Sequence, residues 1–255
     1  MLTTMMMSRR TILRGLGGGA ALTLLPRPLA AAVSGPAASA AESTAMPVVV
    51  ELFTSQGCSS CPPADALLHK LAARDDVLPL ALHVDYWDYI GWKDKFAKPA
   101  HTRRQKGYAK AGGRRMIYTP QMVIMGQEDV VGADAVQVES AIRKHQKKPR
   151  QVALTLRRQG GQLVIRLQPR SRMPKTRLLV QLVRFTPERT VSITRGELAG
   201  KTLSYANVVE DWQLAAEWDG AEPLELTVPL TGSQPAAVLV QEAPFGPVIA
   251  AARAD

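Results

Sequence analysis

The apolar positions of the chain form two kinds of pattern, and one gives way to the other near residue 149. From residue 46 onward, short continuous apolar runs alternate with segments in which apolar residues recur at helical spacing. A continuous run such as 47–54 is typical of a strand buried on both faces, and the spacing within 62–74 predicts a helix. Strands that alternate with helices predict a mainly parallel sheet covered by helices.

After residue 149 the pattern indicates strands alone. Two apolar runs, 152–157 and 163–168, flank Gly160 and Gly161, which is a hairpin signal. Further strand-like runs follow at 178–185, 224–230 and 237–242. The sequence therefore predicts an α/β domain over 46–149 and an all-β, sandwich-like domain over 150–255.

The first forty residues have the composition of an export signal. The segment 8–14 reads S-R-R-T-I-L-R, a short glycine-weakened apolar stretch follows, and 38–40 has the A-x-A cleavage pattern. The pair Arg9-Arg10 is typical of a twin-arginine signal, and the alternative is an ordinary secretory signal that contains two arginines. We expect a cleavable signal peptide over 1–40, a periplasmic or secreted product, and no stable membrane span after cleavage.

Composition narrows the candidate chemistry. The chain is 46% hydrophobic and 21% charged, which is typical of a globular protein. Its two cysteines are too few for a disulfide-rich scaffold or a four-thiolate zinc site, so we predict no metal site. Four arginines of residues 1–40 contribute to the net charge of +10, and the remaining +6 is mildly basic. We therefore expect no nucleic-acid partner.

The two cysteines form one motif, Cys58-Ser59-Ser60-Cys61, between a buried strand and a helix. A C-x-x-C in this position is typical of a thioredoxin-like redox site. The helix N-terminus favours the thiolate of Cys58, and Cys61 is the more enclosed thiol that resolves a mixed disulfide. Because proline suits the first turn of a helix, Pro62 and Pro63 place the helix start closer to Cys61 and weaken its effect on Cys58.

A second group of residues is predicted to bind the substrate. Thr119-Pro120 enters a buried strand, where thioredoxin-like sites have a cis-proline whose preceding residue pairs with an extended peptide. The aromatic segment 83–95 supplies Trp87 as a candidate wall of a peptide groove and Asp85 as a candidate proton relay. The alternative is that the tryptophans only anchor an irregular connection to the core.

Long motifs resemble a known family. The segments are F-T-S-Q-G-C-S-S-C-P-P-A-D (53–65), H-V-D-Y-W-D-Y-I-G-W-K-D (83–94), Y-T-P-Q-M-V-I-M-G (118–126), 195–209 and 240–251. They resemble the domain of unknown function 1223 family, secreted thioredoxin-like proteins. The resemblance implies a thioredoxin-like fold joined to a β-rich domain, and it names no substrate.

Three functions are consistent with the motif. The first is a thiol–disulfide oxidoreductase that acts on protein thiols or disulfides of the cell envelope and needs no organic cofactor, because the cysteine pair carries the two electrons. The second is a non-catalytic interaction or assembly module with a structural disulfide. The third is a copper-handling protein, since paired thiolates suit Cu(I).

Overall fold

The computed structural model describes residues 46–172 and 176–254. The predicted signal peptide, with Arg9 and Arg10, lies outside these ranges. The helices within them are α1 (Pro62–Ala72), α2 (Pro99–Ala111), α3 (Ala135–Gln146) and a short 3-10 helix over Asp88–Ile90. The strands are β1 (Val48–Thr54), β2 (Val77–His83), β3 (Gln121–Ile124), β4 (Glu128–Val131), β5 (Val152–Gln159), β6 (Gln162–Pro169), β7 (Leu178–Ser192), β8 (Thr202–Trp218), β9 (Leu224–Pro229), β10 (Ala236–Glu242) and β11 (Val248–Ala254).

The strands form one large sheet and one small sheet. The large sheet has eight strands in the order β11-β10-β7-β8-β2-β1-β3-β4. It is mixed, because β2 runs parallel to both β1 and β8 while the other neighbours are antiparallel. The small sheet has three antiparallel strands in the order β5-β6-β9. Within the described ranges, no helix is both long and apolar enough to cross a bilayer.

The predicted fold class, an α/β thioredoxin-like domain followed by an all-β sandwich-like domain, is wrong. The protein is mostly β, and its eight-stranded sheet takes strands from both sides of residue 149. The two groups of strands meet where β2 pairs with β8, at Ala81 and Val208. The pattern of 202–218 did not predict β8, because polar and apolar residues do not alternate along it.

The main hydrophobic core also draws on both parts of the chain. Leu52 and Leu80 belong to the same buried cluster as Val183, Phe185 and Leu239, which come from β7 and β10. A second cluster lies where the small sheet packs against β7, β10 and β11. The predicted boundary near residue 149 falls in the loop between α3 and β5.

A buried ion pair fixes α2 to the sheet. The Arg104 guanidinium donates two hydrogen bonds to the Glu51 carboxylate of β1, at 2.5 and 2.8 Å. Arg104 also donates to the Tyr108 hydroxyl and lies 3.9 Å from the centre of the Trp212 ring. A buried charge pair is tolerated when further hydrogen bonds satisfy both groups, as they do here. This network lies on the central strand β1, which ends at Thr54. The next residues, 55–61, form the loop that carries Cys58 and Cys61, which we call the cysteine loop.

Candidate functional site

Cys58 and Cys61 are joined in a disulfide at the start of α1. Their Cα atoms are 5.4 Å apart, and the loop that carries them connects β1 to the helix. Cys61 is the N-cap residue, and Pro62 and Pro63 occupy the first two helical positions. The helix therefore begins after the second cysteine, as the two prolines predicted.

The surroundings of Cys58 combine burial with one hydroxyl contact. Its backbone N–H donates to the Ser55 carbonyl oxygen at 3.2 Å, and its Sγ lies 3.4 Å from Ser60 Oγ. Cys58 is 1% exposed, whereas Ser59 and Ser60 are exposed. Since Pro62 and Pro63 have no N–H groups, the helix end offers fewer donors to a thiolate than an ordinary N-terminus would. The Ser60 hydroxyl is then the polar side-chain group placed to stabilise negative charge on Cys58.

Trp87 lies between the cysteine loop and Thr119. Its indole Nε1–H donates to Thr119 Oγ1 at 2.7 Å. On the other side, a Cβ added to Gly57 would lie 3.1 Å from Trp87 Cβ, so the residue before Cys58 packs closely on the tryptophan. The ring stacks on Tyr89, which is 79% exposed. Trp87 therefore connects the loop of the two cysteines to Thr119, the predicted substrate-binding residue.

Pro120 lies beside the first turn of α1. The Thr119–Pro120 peptide bond is cis, which confirms the sequence-based expectation for this bond. Pro120 Cβ and Ala64 Cβ each lie 3.2 Å from the position that a Cβ on Gly132 would take. The fold thus brings Thr119 and Pro120 to the end of α1 that carries the disulfide.

Asp85, the candidate proton relay, is bound to α2 instead. Thr102 donates a hydrogen bond of 2.5 Å to Asp85 Oδ1. Among the described residues, no hydrogen bond or ion pair connects the Asp85 carboxylate to the cysteines. The structure therefore gives Asp85 a contact with α2 that holds the loop after β2.

A buried acid that the sequence reasoning missed lies on the helix of the cysteines. Asp65 is 5% exposed, and its backbone N–H donates to the Cys61 carbonyl oxygen at 3.1 Å. Oδ1 accepts a hydrogen bond of 2.8 Å from the Thr54 hydroxyl. Burial raises the pKa of Asp65 from 3.8 to about 7, against the opposing effects of His83 and Thr54. The signal in the sequence is an aspartate one turn after Cys61, on the apolar face of the helix.

His83 and Asp94 form a fully buried pair next to this acid. His83 Nδ1 and Asp94 Oδ2 are 2.7 Å apart, and neither side chain is exposed. Asp94 also accepts the backbone N–H of Gln56 in the cysteine loop, at 2.8 Å. Burial by itself raises the pKa of Asp94, but His83 and hydrogen bonds from Gln56 and Phe96 outweigh it and lower the pKa overall. Asp94 is therefore ionised at neutral pH.

Tyr205 of β8 completes what we call the Asp65 cluster: Asp65, His83, Asp94 and Tyr205. The Tyr205 ring packs edge-to-face on the His83 ring, with centroids 4.8 Å apart. Burial first, and then the charges of Asp65 and Asp94, raise the pKa of the Tyr205 hydroxyl. Three buried atoms of the cluster have no hydrogen-bond partner among the described residues: Asp65 Oδ2, His83 Nε2 and the Tyr205 hydroxyl.

Comparison with known proteins identifies relatives but no activity. The family described as "Protein of unknown function (DUF1223)" matches residues 49–241. Protein AGR_C_4864 from Agrobacterium tumefaciens is 34% identical in sequence to this chain. Its crystal structure matches with a TM-score of 0.70, and the match covers 82% of this chain and 94% of that chain. HBP35 of Porphyromonas gingivalis is 15% identical, with a TM-score of 0.52 over 82% of this chain and 74% of that chain, and is similar in fold alone. No curated protein matches the chain.

Proposed function

This chain belongs to the DUF1223 family of proteins of unknown function, and we propose that it is a thiol–disulfide oxidoreductase. One observation carries the proposal: the two cysteines of the chain are bonded to each other in a C-x-x-C motif at the start of a helix. The Ser60 hydroxyl, 3.4 Å from Cys58 Sγ, supports the thiolate that exchange requires. Thr119 and Pro120 at the same end of α1 support a substrate site beside the sulfur atoms.

The chemistry needs only the cysteine pair. In the reduced protein, the Cys58 thiolate attacks one sulfur of a substrate disulfide, and the other substrate sulfur leaves as a thiolate. Cys61 then attacks Cys58 Sγ, the protein disulfide forms, and the second substrate thiolate departs. Two electrons pass from the protein to the substrate, and the reverse sequence oxidises a substrate dithiol.

Substrate binding is assigned to Thr119, Pro120 and Trp87. An extended polypeptide would pair with the backbone of Thr119, as a strand pairs with a sheet edge. The Trp87 indole supports this residue through the hydrogen bond to Thr119 Oγ1. The stacked pair of Trp87 and exposed Tyr89 offers an apolar surface beside the loop. We assign protein thiols or disulfides as the substrates.

The proposed location is the cell envelope, reached through the twin-arginine pathway. The support is the S-R-R-T-I-L-R segment with Arg9 and Arg10. Replacing both arginines by lysine should leave a precursor in the cytoplasm. Undiminished export of the double variant would reassign the signal to the general secretory class.

Trapping of mixed disulfides tests the oxidoreductase proposal. The Cys61→Ala variant should accumulate covalent partners through Cys58, because the resolving thiol is missing. The matched Cys58→Ala variant should trap few, since Cys61 is the more enclosed thiol. Partners released by reductant from the first variant and not from the second would support the proposal. Equal and negligible trapping by both would overturn it.

The burial of the disulfide favours a second candidate, an interaction module with a structural disulfide. Cys58 is 1% exposed and Cys61 is 0% exposed. A disulfide with a structural role typically has a reduction potential below about −300 mV and does not turn over. This candidate would be favoured if glutathione does not reduce the disulfide and if the protein loses its fold when the disulfide is reduced.

A further inference from the structure

The segment between Asp94 and Glu128 carries a concentration of positive charge. It contains eight lysines and arginines and no aspartate or glutamate, whereas the whole chain has 32 basic and 22 acidic residues. Helix α2 lies within this segment, and Arg103, Lys106 and Lys110 are exposed along it. Residues that are three and seven positions apart lie on one face of a helix, so these three cations form a single stripe. We call them the α2 basic face.

Nearby acids do not neutralise the α2 basic face. Within 46–172 and 176–254, its three residues make no ion pair. The buried side of the helix differs, because Arg104 pairs there with Glu51. The other exposed residues of α2 are Pro99, Ala100 and Ala111. A helix that lies on a membrane inserts large apolar side chains into it, so this face fits an acidic partner in solution better than a bilayer.

A hydrogen bond joins α2 to the residues assigned to substrate binding. Gln105 Nε2 donates to the Tyr118 carbonyl oxygen at 2.7 Å, and Tyr118 directly precedes Thr119. Lys106 follows Gln105 in the helix, and Arg115, which is also exposed, lies four residues before Thr119. One direct contact therefore holds the α2 basic face next to the backbone that would pair with a substrate.

We propose that the α2 basic face selects the substrates, and that the preferred substrates are proteins with acidic residues beside the reactive cysteine. The inference rests on the proposed oxidoreductase function and deepens it, because it names the class of protein that the site accepts. A strand paired with Thr119 presents side chains to one face at intervals of about 7 Å. The helix from Arg103 to Lys110 spans about 10 Å, so it can meet two acidic side chains of such a strand.

Complementary charge acts on the encounter with the substrate and not on the sulfur chemistry. Opposite charges on two surfaces raise the rate of association, and salt screens this effect at ionic strengths above about 0.1 M. A change of exposed charge on α2 should therefore alter the rate with charged substrates. The rate with a neutral substrate should stay the same.

Three peptides that differ only in charge test the selection. Each has one cysteine, flanked by glutamates in the first peptide, glutamines in the second and lysines in the third. The cysteine is blocked as a disulfide with 2-nitro-5-thiobenzoate, and the Cys58 thiolate of the reduced protein attacks the peptide sulfur and releases this chromogenic thiolate. At about 20 mM salt the glutamate peptide should react about tenfold faster than the glutamine peptide, and at about 0.5 M salt the rates should converge.

A double charge reversal locates the effect on α2. Lys106→Glu with Lys110→Glu should make the lysine peptide the fastest of the three and leave the rate with the glutamine peptide unchanged. The control is Lys147→Glu with Lys148→Glu, which changes the net charge equally at exposed positions after α3. The segment before α3 packs on Pro120 and α3 has 12 residues, so the control pair lies about 18 Å away along the helix. This control should keep the preference for glutamate.

Binding of inert peptides separates this inference from the oxidoreductase proposal. Peptides with serine in place of cysteine cannot exchange, and the glutamate form should bind about tenfold more tightly than the glutamine form at low salt. Selective binding without thiolate release would overturn the oxidoreductase proposal and support the acidic partner.

Three results would overturn the inference. The first is equal binding and equal rates for all peptides in the parent protein. The second is a preference for glutamate that survives Lys106→Glu with Lys110→Glu, or that the control pair removes to the same extent. The third is binding to phosphatidylglycerol vesicles that the double reversal abolishes, without any preference among peptides, which would assign the α2 basic face to a membrane surface.

Discussion

Thr54, the last residue of β1, donates a hydrogen bond of 2.8 Å to Asp65 on α1, in the interior of the protein. Thr54 also pairs with His83 across the parallel strands β1 and β2. One end of the parallel pair therefore supplies a hydroxyl and an imidazole on neighbouring strands, and α1 supplies the acid that accepts the hydrogen bond of the hydroxyl.

The first prediction concerns the stability effect of Asp65. Its pKa of about 7 exceeds its ordinary value of 3.8, so between these pH values the folded state holds a proton that the unfolded state has lost. The stability that Asp65 contributes is therefore lost as pH rises through about 7. Asp65→Asn should gain stability relative to the unaltered protein between pH 4 and 8, by up to about 4 kcal/mol.

Urea unfolding at several pH values measures this difference. The stability of each variant must be compared with that of the parent protein at the same pH, because His101 also makes stability depend on pH. Burial lowers the pKa of His101 to about 4, so the stability of the folded state rises with pH between about 4 and 6.5, opposite to the effect of Asp65. Asp75→Asn is the control and should show no pH-dependent difference. A constant difference between Asp65→Asn and the parent from pH 4 to 8 would mean that Asp65 is ionised throughout.

The second prediction concerns the hydroxyl beside Cys58. In the reduced protein, Ser60 Oγ is placed to donate to the Cys58 thiolate, from the 3.4 Å separation of the two atoms. Ser60→Ala should slow alkylation of Cys58 near neutral pH by about threefold to tenfold. Ser59→Ala is the matched control, since it alters the neighbouring exposed serine. Mass mapping of alkylated peptides gives both rates, and equal rates in the two variants would exclude a role for Ser60.

The third prediction separates substrate binding from thiol reactivity. Trp87→Phe keeps an aromatic ring and removes the hydrogen bond to Thr119 Oγ1. Capture of protein partners in a Cys61→Ala background should fall by about threefold to tenfold, while alkylation of Cys58 stays unchanged. Trp218→Phe is the control, because that indole donates to the Glu222 carbonyl oxygen. Parallel losses of capture and reactivity would mean that Trp87 only supports the loop.

The fourth prediction concerns the two parts of the chain. The main core joins Leu52 and Leu80 to Val183, Phe185 and Leu239, and β8 pairs with β2. A fragment of residues 46–149 would expose this apolar surface and should not fold alone. Circular dichroism and urea titration of the fragment, beside the chain from residue 46 to 255, measure this. Cooperative unfolding of the isolated fragment would establish an independent domain there.

Elements whose residues are specified locally were predicted from sequence. The continuous run of β1 and the apolar spacing of α1 predicted both elements within two residues. Asp134 caps α3 by accepting the Gln137 N–H at 3.0 Å, which is a contact between residues three positions apart. Gly160 and Gly161 have φ values of 55° and 80°, which the tight hairpin between β5 and β6 requires.

Elements that depend on partners distant in sequence were missed. β11 is rich in alanine, which has low strand propensity, and β8 has no simple alternation because its neighbours differ along its length. Because β8 links the two parts of the chain by pairing with β2, a pattern that does not predict β8 cannot predict their common sheet. Asp65 and Tyr205 were missed for the same reason, since their burial against His83 arises only when α1 covers β2 and β8.

The redox titration of the Cys58–Cys61 pair tests the central claim most directly. The protein is equilibrated with redox buffers of reduced and oxidised glutathione, and with dithiols whose reduction potentials are similar to that of thioredoxin. The fraction of free thiols is then measured by alkylation and mass spectrometry. We expect a reversible two-electron transition with a potential above about −300 mV and exchange with an added protein disulfide. A potential below that value, with no exchange over hours, would contradict the account and assign the disulfide a structural role.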